Sequence, residues 1–155
     1  MTSVLFVCTG NICRSPTADA VLRHLAQEQK LNYTIDSAGT HGYHIGEQPD
    51  PRTMQTAHSN GINMTMLRAR KLQKADFENF DYLIAMDNGH LNTMQKIAPK
   101  EHHRKIHLFL DFTESYKGQD VPDPYYGEQN GFDHVFALVK EGCGKILESL
   151  NQNPT

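Results

Sequence analysis

What the chain lacks narrows its function first. It has 155 residues and only three cysteines, Cys8, Cys13 and Cys143. That number is odd and too small for a disulfide scaffold. No second Cys or Cys/His pair completes a four-ligand zinc spacing, and the nine histidines are scattered. His102 and His103 stand together with few partners near them in sequence, and they read as a solvated turn rather than a metal site. There is no basic excess: 15 Lys and Arg face 18 Asp and Glu, for a formal net charge of -3. Broad nucleic-acid binding, which shows as a basic surplus, is therefore not expected. The opening apolar run Val4-Leu5-Phe6-Val7 has no basic leader and is too short for a signal peptide or a membrane span. The expectation is a cytoplasmic chain, in a compartment where thiols stay reduced. Internal repeats, linkers and low-complexity tracts are also missing. With 38% hydrophobic and 21% charged residues, the chain can bury one core and keep its surface wet.

What is present alternates between two periodicities. Val4-Leu5-Phe6-Val7 is a continuous apolar run, as in a strand buried on both faces. Ser15-Pro16 reads as a helix start, with Ser as the cap and Pro at the first helical position. Asp19 then falls in the first turn, on the favourable side of the helix dipole. Ala18, Val21, Leu22 and Leu25 recur at helical spacing and face the sheet. A second strand is expected over 33–38, followed by a loop from Gly39. A helix runs from Asp50-Pro51 to Ser59, closed by Asn60-Gly61. A third strand covers 80–86, a helix over 91–97 stops before Pro99, and a shorter strand covers 106–109. Residues 121–130 are turn-rich. A long amphipathic helix over 132–150 puts Val135, Phe136, Val139, Ile146 and Leu147 on its apolar face. The pattern predicts a single α/β domain over 1–155: a four-stranded parallel sheet, helices on both faces, right-handed crossovers and a loop after strand 1.

The chemistry concentrates in that loop, Cys8-Thr9-Gly10-Asn11-Ile12-Cys13-Arg14-Ser15. It leaves the carboxyl end of a buried strand and enters the amino end of a helix. Such a loop turns backbone N–H groups inwards and adds the helix dipole, so it binds a dianion. Gly10 and Asn11 tolerate the left-handed backbone that a tight cradle requires. Arg14 adds a permanently charged, bidentate grip on two phosphate oxygens. The same field favours a thiolate at Cys8, and the Ser15 hydroxyl can donate to its sulfur. Residues Thr9 to Ser15 are therefore the candidate phosphate-binding set. No Gly-Lys-Ser/Thr closes the loop, which argues against a nucleotide-binding Walker loop. Four residues between Cys8 and Cys13, rather than two, argue against a thioredoxin motif. The plain alternative is a buried cysteine in an ordinary strand-to-helix turn. The helix start and the Gly-Asn filling favour the cradle.

Val7-Cys8-Thr9-Gly10-Asn11-Ile12-Cys13-Arg14-Ser15-Pro16 resembles the signature of the low-molecular-weight protein tyrosine phosphatases. Asp36-Ser37-Ala38-Gly39-Thr40, Pro49-Asp50-Pro51-Arg52, Ala85-Met86-Asp87 and Asp123-Pro124-Tyr125-Tyr126-Gly127 follow the family in order and approximate spacing. The resemblance covers essentially the whole chain. It implies hydrolysis of phosphotyrosine and other aryl phosphate monoesters through a phosphocysteine on Cys8. Covalent catalysis of this kind needs a proton for the departing phenolate. The resemblance assigns that proton to Asp123, held in Pro122-Asp123-Pro124, which then serves as the base that activates water. Tyr125 and Tyr126 are implied as an aromatic wall for the phenyl ring. Tyr43, where many bacterial-type members carry Trp, is implied on the opposite side. Asn11, Ser15 and Ser37 are implied to hold the loop, and Asp87 to orient Arg14. Cys13 is implied to capture an oxidised Cys8; packing alone makes it a small residue beneath the cradle. No metal and no cofactor are implied. The implied partners are a phosphotyrosine-containing protein as substrate and inorganic phosphate as product and inhibitor, with no nucleic acid and no membrane span. One departure stands out. Some members carry a histidine after Gly-Ile-Asn that joins the cradle network. Here that stretch reads Met64-Thr65-Met66-Leu67-Arg68-Ala69-Arg70, so the support must differ.

Three other functions use similar parts. A thiol arsenate reductase relays electrons through two further cysteines late in the chain, and only Cys143 is available there besides Cys13. A protein-arginine phosphatase of this fold carries Thr where Ile12 stands, so Ile12 points to phosphotyrosine. A non-catalytic phosphate-binding module has no need of nucleophile, cation and acid together.

Overall fold

A computed structural model of the chain describes residues 2–125, 127 and 129–152. Four strands form one sheet in the order β2-β1-β3-β4. They are β1, Ser3–Cys8; β2, Thr34–Gly39; β3, Tyr82–Ala85; and β4, Ile106–Leu108. Every pairing is parallel, with Ser3 opposite Thr34, Val4 opposite Tyr82 and Leu83 opposite Ile106. β1 thus has a neighbour on each side, and both its faces are covered. Val4, Phe6 and Cys8 join the core formed with α1 (Arg14–Glu28), α2 (Pro51–Ser59) and α5 (Gln129–Gln152). Leu5 and Val7 join a second core with Phe77 of α3 (Asp76–Asn79) and Met94 of α4 (Asn88–Ile97). That double burial is why the strand reads as an unbroken apolar run. Val4, Leu5, Phe6 and Val7 are all fully buried, and each such side chain contributes roughly 1.5–3 kcal/mol.

The winding reverses at β1. The chain goes first to β2 on one side of it and then to β3 on the other. Open α/β sheets bind ligands outside the carboxyl ends of their strands at such a reversal. The loop after Cys8 lies there.

α2 follows its sequence signals. The Asp50 carboxylate accepts from the Arg52 N–H at 2.8 Å, Pro51 is the first helical residue, and Gly61 takes φ +81° just past the end. α5 buries all five residues of its expected apolar face, together with Cys143. Gly142 lets α5 close onto Phe109, because a Cβ there would collide with the ring.

Several expectations need correction. α1 begins at Arg14 with Cys13 as its cap, not Ser15, and Pro16 is its third residue. A proline is tolerated there because its missing N–H would have had no helical acceptor. The Ser15 hydroxyl has turned to the Cys8 sulfur instead. Asp19 is not in the first turn. It lies deeper in the helix, buried, and pairs with Arg23 at 2.7 Å. Burial pushes its pKa up despite that partner. β3 and β4 are shorter than expected, because Phe80 closes α3 and Phe109 opens a 3-10 turn, Phe109–Phe112. His102 and His103 lie half-buried in a second 3-10 turn, Lys100–Lys105, rather than in open solvent. The His103 Nε2 stands 3.1 Å from the Ala98 carbonyl. Among the described residues, no helix is long and apolar enough to cross a membrane.

Candidate active site

β1 delivers Cys8 at its last position, 3% exposed, and the chain wraps around the sulfur before α1 starts at Arg14. Asn11 makes that wrap possible. Its φ is +60°, in the left-handed region that Asn tolerates best among residues with a side chain. Its amide nitrogen donates to Ser15 Oγ and to Ser37 Oγ, both at 2.9 Å. Its oxygen accepts from the Arg70 backbone N–H at 3.0 Å. Ser15 Oγ lies 2.9 Å from Cys8 Sγ. Since Ser15 already accepts from Asn11, its own proton can point at the sulfur. Among the described residues, the competing acceptor in reach is the Ala38 carbonyl, at a long 3.5 Å. The support expected from a histidine in the 64–70 segment is thus supplied by the backbone of Arg70.

Gly10 is not left-handed, contrary to expectation; within the loop Asn11 alone has positive φ. A Cβ at Gly10 would lie 3.0 Å from His44 Cδ2, so any larger residue there would press on that ring. Gly39, at the end of β2, is tighter still: a Cβ would lie 2.7 Å from the Thr9 carbonyl oxygen. Among the described residues, no protein group accepts from the N–H of residues 9–13. These N–H groups lie in the segment between Cys8 and α1, where an anion could accept from them.

Arg14 is 4% exposed and held on the protein side. Its Nη1 donates to Asp87 Oδ2 at 2.7 Å and to the Val121 carbonyl at 3.0 Å. Its Nη2 lies 3.6 Å from Asp123 Oδ2. Asp87 also caps α4, where its Oδ1 accepts from the His90 N–H at 2.8 Å. Burial works against the Asp87 carboxylate, but the side chain and backbone of His90 and the guanidinium of Arg14 outweigh it. They hold its pKa well below the usual carboxylate range. Asp123 is far more open, with its side chain 45% exposed, and its Oδ1 accepts from the Tyr125 N–H at 3.0 Å.

Cys8, Arg14 and Asp123 share the wall of one cavity of about 120 Å³ with Ile12, Tyr43 and Tyr125. Tyr125 is braced by Arg52, whose guanidinium lies 5.6 Å from the ring and donates to the Tyr125 carbonyl at 2.8 Å. Tyr43 is 73% exposed and stacks on His41, centroids 5.1 Å apart. Tyr126 lies outside the described residues. Cys13 is 5% exposed, and its pKa is pushed up to about 12, chiefly by burial. All three cysteines are free. Among the described residues, no group of three His, Cys, Asp or Glu side chains gathers as a metal site.

Sequence reasoning missed His44, which lines the cavity beside Gly10, and His90, whose ring reaches Thr9. No local pattern could have found His90, because its loop partner is 81 residues away.

The comparisons agree with this geometry. A family model described as low molecular weight phosphotyrosine protein phosphatase matches residues 3–155. A Schizosaccharomyces pombe protein named low molecular weight phosphotyrosine protein phosphatase is 41% identical over 150 residues, covering 95% of this chain and 96% of that one. The crystal structure of YfkJ from Bacillus subtilis superposes with a TM-score of 0.94 at 39% identity, covering 100% and 98% of the two chains. A protein tyrosine phosphatase from Entamoeba histolytica, solved with Hepes in its active site, gives 0.95 at 38% identity over 100% of both chains. Fold, loop and whole-length similarity converge, and the chain belongs to the low-molecular-weight phosphotyrosine protein phosphatase family.

Proposed function

We propose that this tyrosine phosphatase cleaves aryl phosphate monoesters through a phosphocysteine on Cys8. The observation that carries the reading is the convergence of the Cys8 sulfur, the Arg14 guanidinium and the Asp123 carboxyl group on one cavity. The Cys8 thiolate attacks phosphorus while the bond to the aryl oxygen breaks. Asp123 gives its proton to that departing oxygen. The Asp123 carboxylate then takes a proton from water, whose oxygen attacks phosphorus. The sulfur–phosphorus bond breaks, and inorganic phosphate and the Cys8 thiolate are released. In both steps the loop N–H groups and Arg14 stabilise charge on the equatorial oxygens. Arg14 needs little reorganisation, because Asp87 and the Val121 carbonyl already fix it.

The aromatic rings of Tyr43 and Tyr125 and the side chain of Ile12 suit the flat face of phosphotyrosine in a protein substrate. Tyr126 is assigned to the same wall by resemblance. Inorganic phosphate fits the cradle it leaves, and so acts as an inhibitor. A thiolate nucleophile works only while reduced, which supports a cytoplasmic setting. The test is turnover of p-nitrophenyl phosphate with the chelator EDTA present, alongside Cys8→Ser. The native chain should turn over unchanged by EDTA. The variant should be inactive yet still bind phosphate. Substantial hydrolysis by Cys8→Ser would refute the covalent route.

A further inference from the structure

His90 has no part in the mechanism just described, yet it touches the cradle. It lies in the first turn of α4 and is 5% exposed. Its Nε2 is 2.7 Å from Thr9 Oγ1. On the other side of the ring, Nδ1 stands 3.0 Å from Asp87 Oδ1, too poorly aligned to count as a hydrogen bond. The second oxygen of that carboxylate holds Arg14 at 2.7 Å. One carboxylate therefore braces the phosphate-binding cation and, by accepting from the His90 N–H at 2.8 Å, the residue that carries the imidazole, whose Nε2 meets Thr9.

Thr9 is the first residue after the nucleophile. Its carbonyl accepts from the His41 N–H at 3.0 Å, and Gly39 closes against the same oxygen. The carbonyl of Thr9 and the N–H of Gly10 belong to one rigid peptide plane. With the carbonyl fixed from the β2 side and the hydroxyl fixed from α4, that plane cannot turn. Its N–H is one of the donors left for an anion.

We propose that His90 is a positioning residue for the phosphate cradle: backed by Asp87, it holds Thr9 so that the early loop N–H groups face the same dianion as Arg14. The bland reading is a buried histidine that only steadies the start of α4. That reading does not account for its target, which is a loop residue, or for its anchor, which is the carboxylate behind Arg14. Buried side chains that fix a binding group typically act in this indirect way.

The inference rests on the phosphoryl-binding reading of the loop, so binding and turnover are measured separately. Inorganic phosphate affinity is read by isothermal titration calorimetry, hydrolysis of p-nitrophenyl phosphate by steady-state kinetics, and melting temperature by circular dichroism. The proteins are native, His90→Ala, His90→Gln, Thr9→Val and the His90→Ala/Thr9→Val double variant. Loss of the Thr9 contact should weaken phosphate binding about tenfold in either single variant, the scale of one well-placed hydrogen bond. The double variant should be no worse than either single one, because both remove the same contact. His90→Gln, whose amide can still reach the Thr9 hydroxyl, should recover most of the loss. Thr9→Val keeps the side-chain shape, so it tests the contact even if His90→Ala folds poorly. Native phosphate affinity in Thr9→Val, losses that multiply in the double variant, or a change confined to melting temperature would each overturn the proposal. A native chain that binds phosphate but hydrolyses nothing would refute the catalytic reading instead, and the binding data would still decide the role of His90.

Discussion

Removing Asn11 should cost this protein more than its small size suggests. Asn11→Gly deletes the side chain while leaving the left-handed backbone unstrained. Three hydrogen bonds disappear, two buried ones to Ser15 and Ser37 and a partly buried one from Arg70. At roughly 0.5–1.5 kcal/mol each, their loss costs about 1.5–4.5 kcal/mol. Backbone freedom gained in the unfolded chain adds roughly 0.5–1 kcal/mol. Asn11→Ala avoids that second cost but must hold φ +60° with a Cβ, a penalty of about 1–2 kcal/mol. Both variants should therefore be destabilised by about 4 kcal/mol. For a chain of this length that corresponds to a melting temperature about 8–16 °C lower. Most such domains have about 5–15 kcal/mol of stability, so the variants should still fold. Thermal unfolding followed by circular dichroism gives the stability. p-Nitrophenyl phosphate turnover on the same samples shows whether the loop has lost its shape, and kcat/KM should fall with it. An Asn11→Gly protein that melts within about 2 °C of native and keeps its kcat/KM would refute the idea that this side chain holds the cradle.

Asp123→Ala should slow turnover by about 10²–10⁴-fold with phenyl phosphate. The defect should shrink with p-nitrophenyl phosphate, whose leaving group needs no proton; an equal loss with both would mean that Asp123 only shapes its loop. Native protein inactivated by peroxide should regain activity with dithiothreitol, and Cys13→Ser should recover poorly. The Cys13 thiol, with its pKa near 12, must ionise to attack the Cys8 sulfenic acid, displacing hydroxide as the disulfide forms. Protection should therefore strengthen as pH rises, and equal recovery of both proteins would leave Cys13 a packing residue. The folded pKa of Asp87 lies below its unfolded value of roughly 3.9. Its ionised form therefore adds stability above that value, and the contribution is lost as pH falls through the folded pKa. Urea unfolding at stepped pH below about 4 should fall off less steeply in Asp87→Asn than in the native chain. Identical slopes would show that Asp87 gains nothing from Arg14 and His90.

Elements with one dominant local cause were legible in the sequence. β1 had its apolar run, α2 its Asp50-Pro51 start and Asn60-Gly61 stop, and α5 its apolar face, and all three formed where expected. Misreadings came where a distant group outcompeted a local rule. Ser15 is a good cap by type, but the Cys8 sulfur took its hydroxyl. Asp19 suits a first turn, but the helix began earlier and left it facing Arg23. The cradle residues were recognisable because they are contiguous. Of their supports, Ser37 and Asp87 were named by resemblance, but others were not: the Val121 carbonyl, the Arg70 N–H and the His90 ring reach the loop from far along the chain. Backbone groups also carry no residue-type signature, so two of those three supports leave no trace in the letters. Gly10 was identified for the wrong reason, since conformational freedom and lack of bulk look the same in a sequence.

The hold of the Val121 carbonyl on Arg14 has a consequence for the life of the chain on the ribosome. Cys8, the proposed nucleophile, is among the first residues made, whereas residue 121, which pairs with Met86 beside β3, and Asp123, the proposed acid, come late. An emerging chain therefore carries a cysteine without its finished arginine brace or its proton donor for most of synthesis. On the proposed mechanism, a product that ends before residue 121 would lack both the brace and the acid, and its turnover would fall below that of the full chain.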